Sequence, residues 1–194
     1  MNIGVFASHG GSDMQAIIDG CKNNLINGKV VVVISNNSDS YALERARNEN
    51  IDCYHISEKS DSNYVDSILK VLEEHKVDYI FLAGYMKMLD KRIIDKYYNR
   101  IFNIHPALLP NYGGKGMYGI HVHEAVIANH EKYTGVTIHR VNNEYDRGEI
   151  VAQTKVRVLK KDTPLSLRDR VLEREHEFLV EVNSKICDGK IKIG

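Results

Sequence analysis

The chain has 194 residues, enough for one full-sized domain and too few for two ordinary ones. Hydrophobic residues make up 43%, which excludes a disordered chain and allows a sizeable core. Lys plus Arg and Asp plus Glu each number 26, and this balance argues against a general nucleic-acid or membrane-surface binder, which needs a basic excess.

Cys21, Cys53 and Cys187 are odd in number and far apart in the chain. No disulfide framework or zinc ribbon is expected from them, and a reducing compartment is the simpler setting. Residues 1–8 lack a basic n-region, and no apolar run approaches the ~18–20 residues of a membrane span. A soluble, cytoplasmic protein is expected.

Taken in chain order, short Val- and Ile-rich runs alternate with amphipathic segments. Residues 3–7 are expected as a buried strand, followed by glycines and a helix over 14–21. A second strand over 30–35 leads through Ser38-Asp39-Ser40 into a helix over 41–50, and a short third strand spans 53–56. Residues 64–75 place Val65, Ile68, Leu69 and Leu72 at helical spacing with Glu73 and Glu74 on the wet side. A fourth strand over 79–82, a helix over 91–98 and a fifth strand over 101–104 complete the alternation. Strands apolar on both faces, separated by helices, predict a doubly wound, mostly parallel α/β sheet flanked by helices. Beyond Pro106 the rhythm changes: residues 111–119, with four glycines, must be loop. Strands are expected over 134–141 and 150–158, with a polar loop between them. A long helix follows from Pro164 to about Cys187, with Gly189 as its stop. One domain over residues 1–194 is expected.

Three segments can carry chemistry. Ser8-His9-Gly10-Gly11-Ser12-Asp13 follows the first strand, where backbone N–H groups and a helix N-terminus can receive a phosphate. The spacing fits neither the dinucleotide fingerprint nor the P-loop, and a plain tight turn capped by Ser12 or Asp13 is equally compatible. Asn103-Ile104-His105-Pro106 ends the fifth strand, with Asn103 and His105 on one face by period-two geometry. An amide and an imidazole there can hold a developing oxyanion and shuttle a proton. Asn142-Asn143-Glu144-Tyr145-Asp146-Arg147-Gly148 offers Asp146 to orient a histidine, although Asp and Gly are also ordinary turn residues. His121-Val122-His123-Glu124 lacks third and fourth ligands at a metal spacing and is better taken as a helix start. In Glu173-Arg174-Glu175-His176, a solvated face is expected with one carboxylate free to turn inward.

Together, Gly-Gly-Ser-Asp, Asn-Ile-His-Pro-Ala-Leu-Leu-Pro, Thr-Gly-Val-Thr-Ile-His and Tyr-Asp-Arg-Gly-Glu-Ile-Val-Ala-Gln occur in a distinctive order. In this the chain resembles, over essentially its whole length, the phosphoribosylglycinamide formyltransferases of the folate-dependent formyltransferase family. The resemblance implies a Rossmann-like formyltransferase domain. The implied activity moves a formyl group from 10-formyltetrahydrofolate, as cosubstrate, to the amine of glycinamide ribonucleotide in purine biosynthesis. Attack is direct, without metal or covalent intermediate. The family's catalytic residues fall on Asn103, His105 and Asp146, with His139 behind them. Gly11, Ser12 and Asp13 are implied for the substrate phosphate and Glu175 for the glycinamide end. Met86, Lys87, Met88 and Leu89, with Asn142 and Glu144, are implied for the pterin.

Partners are then small-molecule substrates, with no nucleic acid or membrane, and the chain a monomer or homodimer. Asp13 stands where many members have asparagine, and its carboxylate is expected to turn from the phosphate. Residues 112–119 replace a short Tyr-Pro-Gly-Leu-His link, and this loop is expected to order on ligand binding. The rival readings are another formyl-folate enzyme, such as a deformylase or the sugar-nucleotide and methionyl-tRNA formyltransferases, or a non-catalytic nucleotide-binding module. The deformylase and the tRNA enzyme usually carry an additional domain for which 194 residues are expected to leave no room.

Overall fold

The early strands are apolar on both sides, so helices must cover both. In the computed structural model, which describes residues Met1–Gly194, β1 (Asn2–Phe6), β2 (Lys29–Ser35), β3 (Asp52–His55), β4 (Tyr79–Leu82) and β5 (Ile101–His105) alternate with α1 (Ser12–Lys22), α2 (Tyr41–Asn48), α3 (Tyr64–Glu74) and α4 (Lys91–Lys96). Next come α5 (Ile120–Ala128), the hairpin β6 (Tyr133–Arg140) and β7 (Ile150–Arg157), and α6 (Pro164–Cys187). One seven-stranded sheet results, in the order β3-β2-β1-β4-β5-β6-β7. Strands β1 to β5 are parallel, and β6 and β7 run antiparallel at one end. The expected doubly wound sheet is present.

Alternation along the strands sorts the helices. Ile3 and Val5 of β1 share one buried cluster with Met14 and Ile17 of α1, Leu43 of α2, Val126 of α5 and Val171 of α6. Phe6 points to the opposite face and packs with Ile68 of α3 and Ile93 of α4. Thus α1, α2, α5 and α6 cover one face, and α3 and α4 the other. Chain direction across the sheet reverses at β1, and ligands of open α/β sheets bind outside the carboxyl ends of the strands at such a switch point. At depth, the Tyr79 hydroxyl donates to Asn183 Oδ1 at 2.7 Å, tying β4 to α6. No helix is long and apolar enough to cross a membrane.

Most elements lie within two residues of their expected bounds, and α6 spans the expected 164–187. Three corrections have physical causes. Neither Ser12 nor Asp13 caps α1: Gly11, with φ 70°, occupies the N-cap position, and no side chain bonds there. The helices expected to reach 50 and 98 stop at Asn48 and Lys96, because Asn50 and Asn99 take left-handed φ of 56° and 58°. Residues 120–128 form a whole helix, α5, where only a start was expected.

Gly148 precedes β7 and closes tightly on the end of β6. A Cβ at this position would stand 1.7 Å from the Arg140 carbonyl oxygen, and that atom is backbone. Gly148→Ala is therefore expected to destabilise the protein by about 2–4 kcal/mol through forced overpacking. A thermal melt with an unchanged midpoint would contradict this.

Candidate active site

β5, one strand beyond β4, delivers two polar side chains at its carboxyl end. Asn103 and His105 share one face, as period-two geometry requires, while Ile104 joins the core. The ring of His105 is buried, and its Nε2–H donates to the Tyr112 carbonyl at 2.7 Å. A carbonyl only accepts, so this bond fixes the tautomer and turns Nδ1 toward Asp146 Oδ2, 3.6 Å away. Pairing of β5 with β6 sets Asn103 opposite His139. The Asn103 Nδ2 donates to His139 Nε2 at 3.0 Å, and His139 Nδ1–H donates to the Arg140 carbonyl at 2.8 Å.

Asp146 arrives from the β6–β7 loop and sits between the two imidazoles. Its Oδ1 lies 3.5 Å from His139 Nε2 and from Asn103 Nδ2, and its Oδ2 accepts the Gly114 N–H at 2.9 Å. Burial alone would raise the Asp146 carboxyl, but His139, the Gly114 N–H and His105 hold it, on balance, below the usual carboxylate range. Burial lowers the pKa of His105 against the opposing pull of Asp146 and the Tyr112 carbonyl. At neutral pH the pair is a carboxylate facing an uncharged imidazole, and a proton arriving on Nδ1 completes an ion pair.

The backbone here is held under strain. Tyr112 and Asp146 both adopt left-handed φ, at 56° and 54°. Such conformations cost roughly 1–3 kcal/mol and persist only when the surroundings over-determine them. Tyr112 is fixed through its carbonyl on His105 and its hydroxyl on Glu131 at 2.8 Å. The segment leading to it is pinned to β6. Leu109 N–H donates to Thr137 Oγ1 at 3.1 Å, and Thr137 donates to the Ala107 carbonyl at 2.6 Å.

These groups open into a cavity of about 500 Å³. Every candidate site residue lines it: Asn103, His105, His139 and Asp146, then Gly11, Ser12, Asp13 and Glu175, and Met86, Lys87, Met88, Leu89, Asn142 and Glu144. Met86 and Met88 are exposed apolar side chains that form a wall suited to a flat ring. Met86 N–H donates to Ser8 Oγ at 2.8 Å, locking that wall to the end of β1.

Glu175 is the carboxylate of α6 that turns inward, and it is 7% exposed. Burial, then the charge of Asp13 and a hydrogen bond with it, raises the Glu175 pKa well above the carboxylate range. The Asp13 side chain thus faces α6, where His176 Nε2 also lies 3.3 Å from its Oδ1. The backbone groups of residues 112–114 that grip His105 and Asp146 were not foreseen as site elements. The paired glycines beside Tyr112 were their one visible signal, since a Cβ on Gly113 would lie 3.2 Å from that of Asp146.

The His121–Glu124 segment does not form a ligand set. His121 is exposed and bonds Glu124 at 3.1 Å, whereas His123 is buried on the other side of α5. No group of three or more His, Cys, Asp or Glu residues is arranged to hold a metal ion. Burial, with the charges of Arg168 and His105, pushes His123 down to about 4. An unfolded histidine binds its proton near pH ~6.5, so this contribution is intact above that value and is lost as pH falls toward 4. His123→Leu should flatten the stability profile by up to one proton across that window, a difference on the order of 3 kcal/mol at its acid end. Urea melts at stepped pH test this, and parallel wild-type and variant profiles would refute it.

Comparison with known proteins agrees with the geometry. The formyl transferase family model matches residues 1–183. A chloroplastic phosphoribosylglycinamide formyltransferase of Arabidopsis thaliana is 44% identical, over 98% of this chain and 66% of its own length. The Escherichia coli phosphoribosylglycinamide formyltransferase is 37% identical over 100% of this chain and 90% of its own. The chain thus spans just under two thirds of the plant protein and nine tenths of the bacterial one. The crystal structure of glycinamide ribonucleotide transformylase 1 from Symbiobacterium toebii superposes with a TM-score of 0.90 at 36% identity, covering 100% of this chain and 91% of that one. The chain belongs to the formyl transferase family, among the phosphoribosylglycinamide formyltransferases.

Proposed function

We propose that the protein transfers the formyl group of 10-formyltetrahydrofolate to the amine of glycinamide ribonucleotide. The observation that carries this reading is the meeting of Asn103, His105 and Asp146 in one cavity, between a glycine turn and an apolar wall. The folate supplies the formyl group, and Met86, Lys87, Met88 and Leu89, with Asn142 and Glu144, hold its pterin. Gly11, Ser12 and Asp13 receive the phosphate, and Glu175 the glycinamide end.

The amine nitrogen attacks the formyl carbon directly, and the carbonyl electron pair moves onto its oxygen. Asn103 Nδ2, relieved of its long contact with Asp146, donates to that oxygen; one such donor is worth ~3–4 kcal/mol. His105, neutral at rest, carries the migrating proton on Nδ1, and Asp146 stabilises the imidazolium that forms. Collapse breaks the bond to the folate nitrogen, which takes up the proton lost by the amine. Formylated ribonucleotide and tetrahydrofolate leave. His139 acts by holding Asn103 and Asp146 in register.

On this reading the chain is one formyltransferase domain that handles small molecules, as a monomer or homodimer. Three free cysteines fit a reducing compartment such as the cytoplasm. The test is an assay with purified protein, 10-formyltetrahydrofolate and glycinamide ribonucleotide, following tetrahydrofolate. Product that appears only when both substrates are present supports the reading. Equal turnover without the ribonucleotide replaces it with a deformylase, and ribonucleotide binding without turnover replaces it with a binding module.

A further inference from the structure

Four acidic side chains and two lysines line the cavity: Asp13, Glu144, Asp146 and Glu175 against Lys87 and Lys115. No arginine lines it, and neither lysine forms an ion pair with the protein. The substrates named above are anions, one a phosphate monoester. The glycine turn assigned to that phosphate contains no lysine or arginine, and the acidic pair Asp13 and Glu175 stands beside it. Neutral N–H donors beside the Asp13 carboxylate leave a dianion under-compensated, since a like charge nearby opposes binding. The Arg45 guanidinium that reaches the turn donates to the Gly10 carbonyl at 2.8 Å and does not line the cavity.

The two lysines are not equivalent. Lys87 belongs to the segment running from β4 to α4, on the face covered by α3 and α4. Lys115 belongs to the segment running from β5 to α5, on the face that also carries α1, with its phosphate turn, and α6, with Glu175. Its backbone is also fixed. Gly114 N–H is held by Asp146, and the Gly114 carbonyl accepts Met117 N–H at 3.1 Å, closing a turn with Lys115 at its first corner. Gly116, at the second corner, has φ 88°, the signature of a type II turn. At Gly114 and Gly116 a Cβ would meet nothing within 4 Å, so those glycines serve the path of the backbone rather than packing. The turn presents an exposed ammonium, on a four-carbon stem, one residue beyond the group that holds Asp146.

We infer that Lys115 is the cation that binds the phosphate of the ribonucleotide, in the cavity that it lines together with the glycine turn. The inference rests on the formyl-transfer reading, and the experiment separates the two. Lys115→Met and Lys115→Arg are compared with the wild type for KM toward ribonucleotide, KM toward folate and kcat, and for equilibrium binding of ribose 5-phosphate.

The expected result for Lys115→Met is a rise of roughly tenfold in KM for the ribonucleotide, as for loss of one charge-assisted hydrogen bond. Folate KM should stay within about twofold, the ribose 5-phosphate Kd should rise in step, and Lys115→Arg should recover most of the loss. The effect should shrink as salt is raised. An unchanged ribonucleotide KM, or a rise confined to the folate, overturns the inference; the second outcome moves the lysine to the folate carboxylates. Should the wild type show no formyl transfer, the reading of function falls. Weaker ribose 5-phosphate binding by Lys115→Met would then still uphold the phosphate contact, and unchanged binding would overturn it.

Discussion

Asp146→Asn is expected to fold normally, bind both substrates with little change and lose at least ~100-fold in kcat, about 2.7 kcal/mol of transition-state stabilisation. The substitution is chosen for its backbone. Asp146 has φ 54°, and asparagine tolerates the left-handed region as well as aspartate, so no strain is added. The amide oxygen can still accept the Gly114 N–H that Oδ2 now accepts at 2.9 Å. What disappears is the negative charge 3.6 Å from His105 Nδ1 and 3.5 Å from His139 Nε2. Without it an imidazolium forming in a buried pocket has no counter-ion. The expected pH signature is loss of the acid limb that Asp146 sets, because its carboxyl is held below the usual range and stays ionised until strongly acid pH. Steady-state rates decide the matter: a variant keeping more than about a tenth of wild-type kcat would remove less than ~1.4 kcal/mol, too little for this role.

The second large effect lies in the pair on β5. Asn103→Ala and His105→Ala should each reduce kcat/KM by about 100-fold or more, and the double variant should be little worse than either alone. On the proposed mechanism the two side chains serve one transition state, Asn103 at the oxyanion and His105 at the migrating proton, and Asp146 links them, 3.5 Å from the Asn103 amide and 3.6 Å from the His105 ring. Removing either already dismantles that shared transition state, so the second loss finds little left to remove. A double-mutant cycle in which the losses multiply would show that the two residues serve separate steps, one of them confined to binding.

How far the sequence reveals this molecule depends on the range of the interactions involved. Continuous apolar runs such as 79–82 and the helix start at Pro164 are local and therefore legible; the capping box there, in which Thr163 and Ser166 bond each other's backbone N–H, is equally local. The α5 helix was not legible in full. It follows Gly119, which caps nothing with a side chain, and is apolar around much of its surface, so no start signal or clear stripe marks it. The order of strands was hidden as well, because pairing of β1 with β4 joins residues more than seventy positions apart.

The site divides the same way. Residues 103 and 105 on one face follow from strand period alone. The register that sets His139 against Asn103, and the packing of α6 on α1 that brings Glu175 to Asp13, are tertiary facts. Only the resemblance to formyltransferases pointed to them. Asp13 illustrates the limit of local rules. Its position in the first turn of a helix suggests a cap, yet the chain spends that carboxylate on α6.

The placement of α6 has a consequence for how the protein is made. Leu167, Val171, Leu179, Val182 and Ile186 complete the same buried cluster that holds Ile3 and Val5 of the first strand. A ribosome completes the sheet at Arg157 before it delivers α6, which begins at Pro164 and completes the roof of that face. For the last stretch of translation, the emerging protein therefore displays an apolar face only partly covered by α1, α2 and α5, with unsatisfied partners such as the Tyr79 hydroxyl that awaits Asn183. Chaperones that bind exposed apolar surface should find nascent chains halted before residue 164 and lose them once α6 is out, so quality control and completion of the binding pocket would be timed by the same segment.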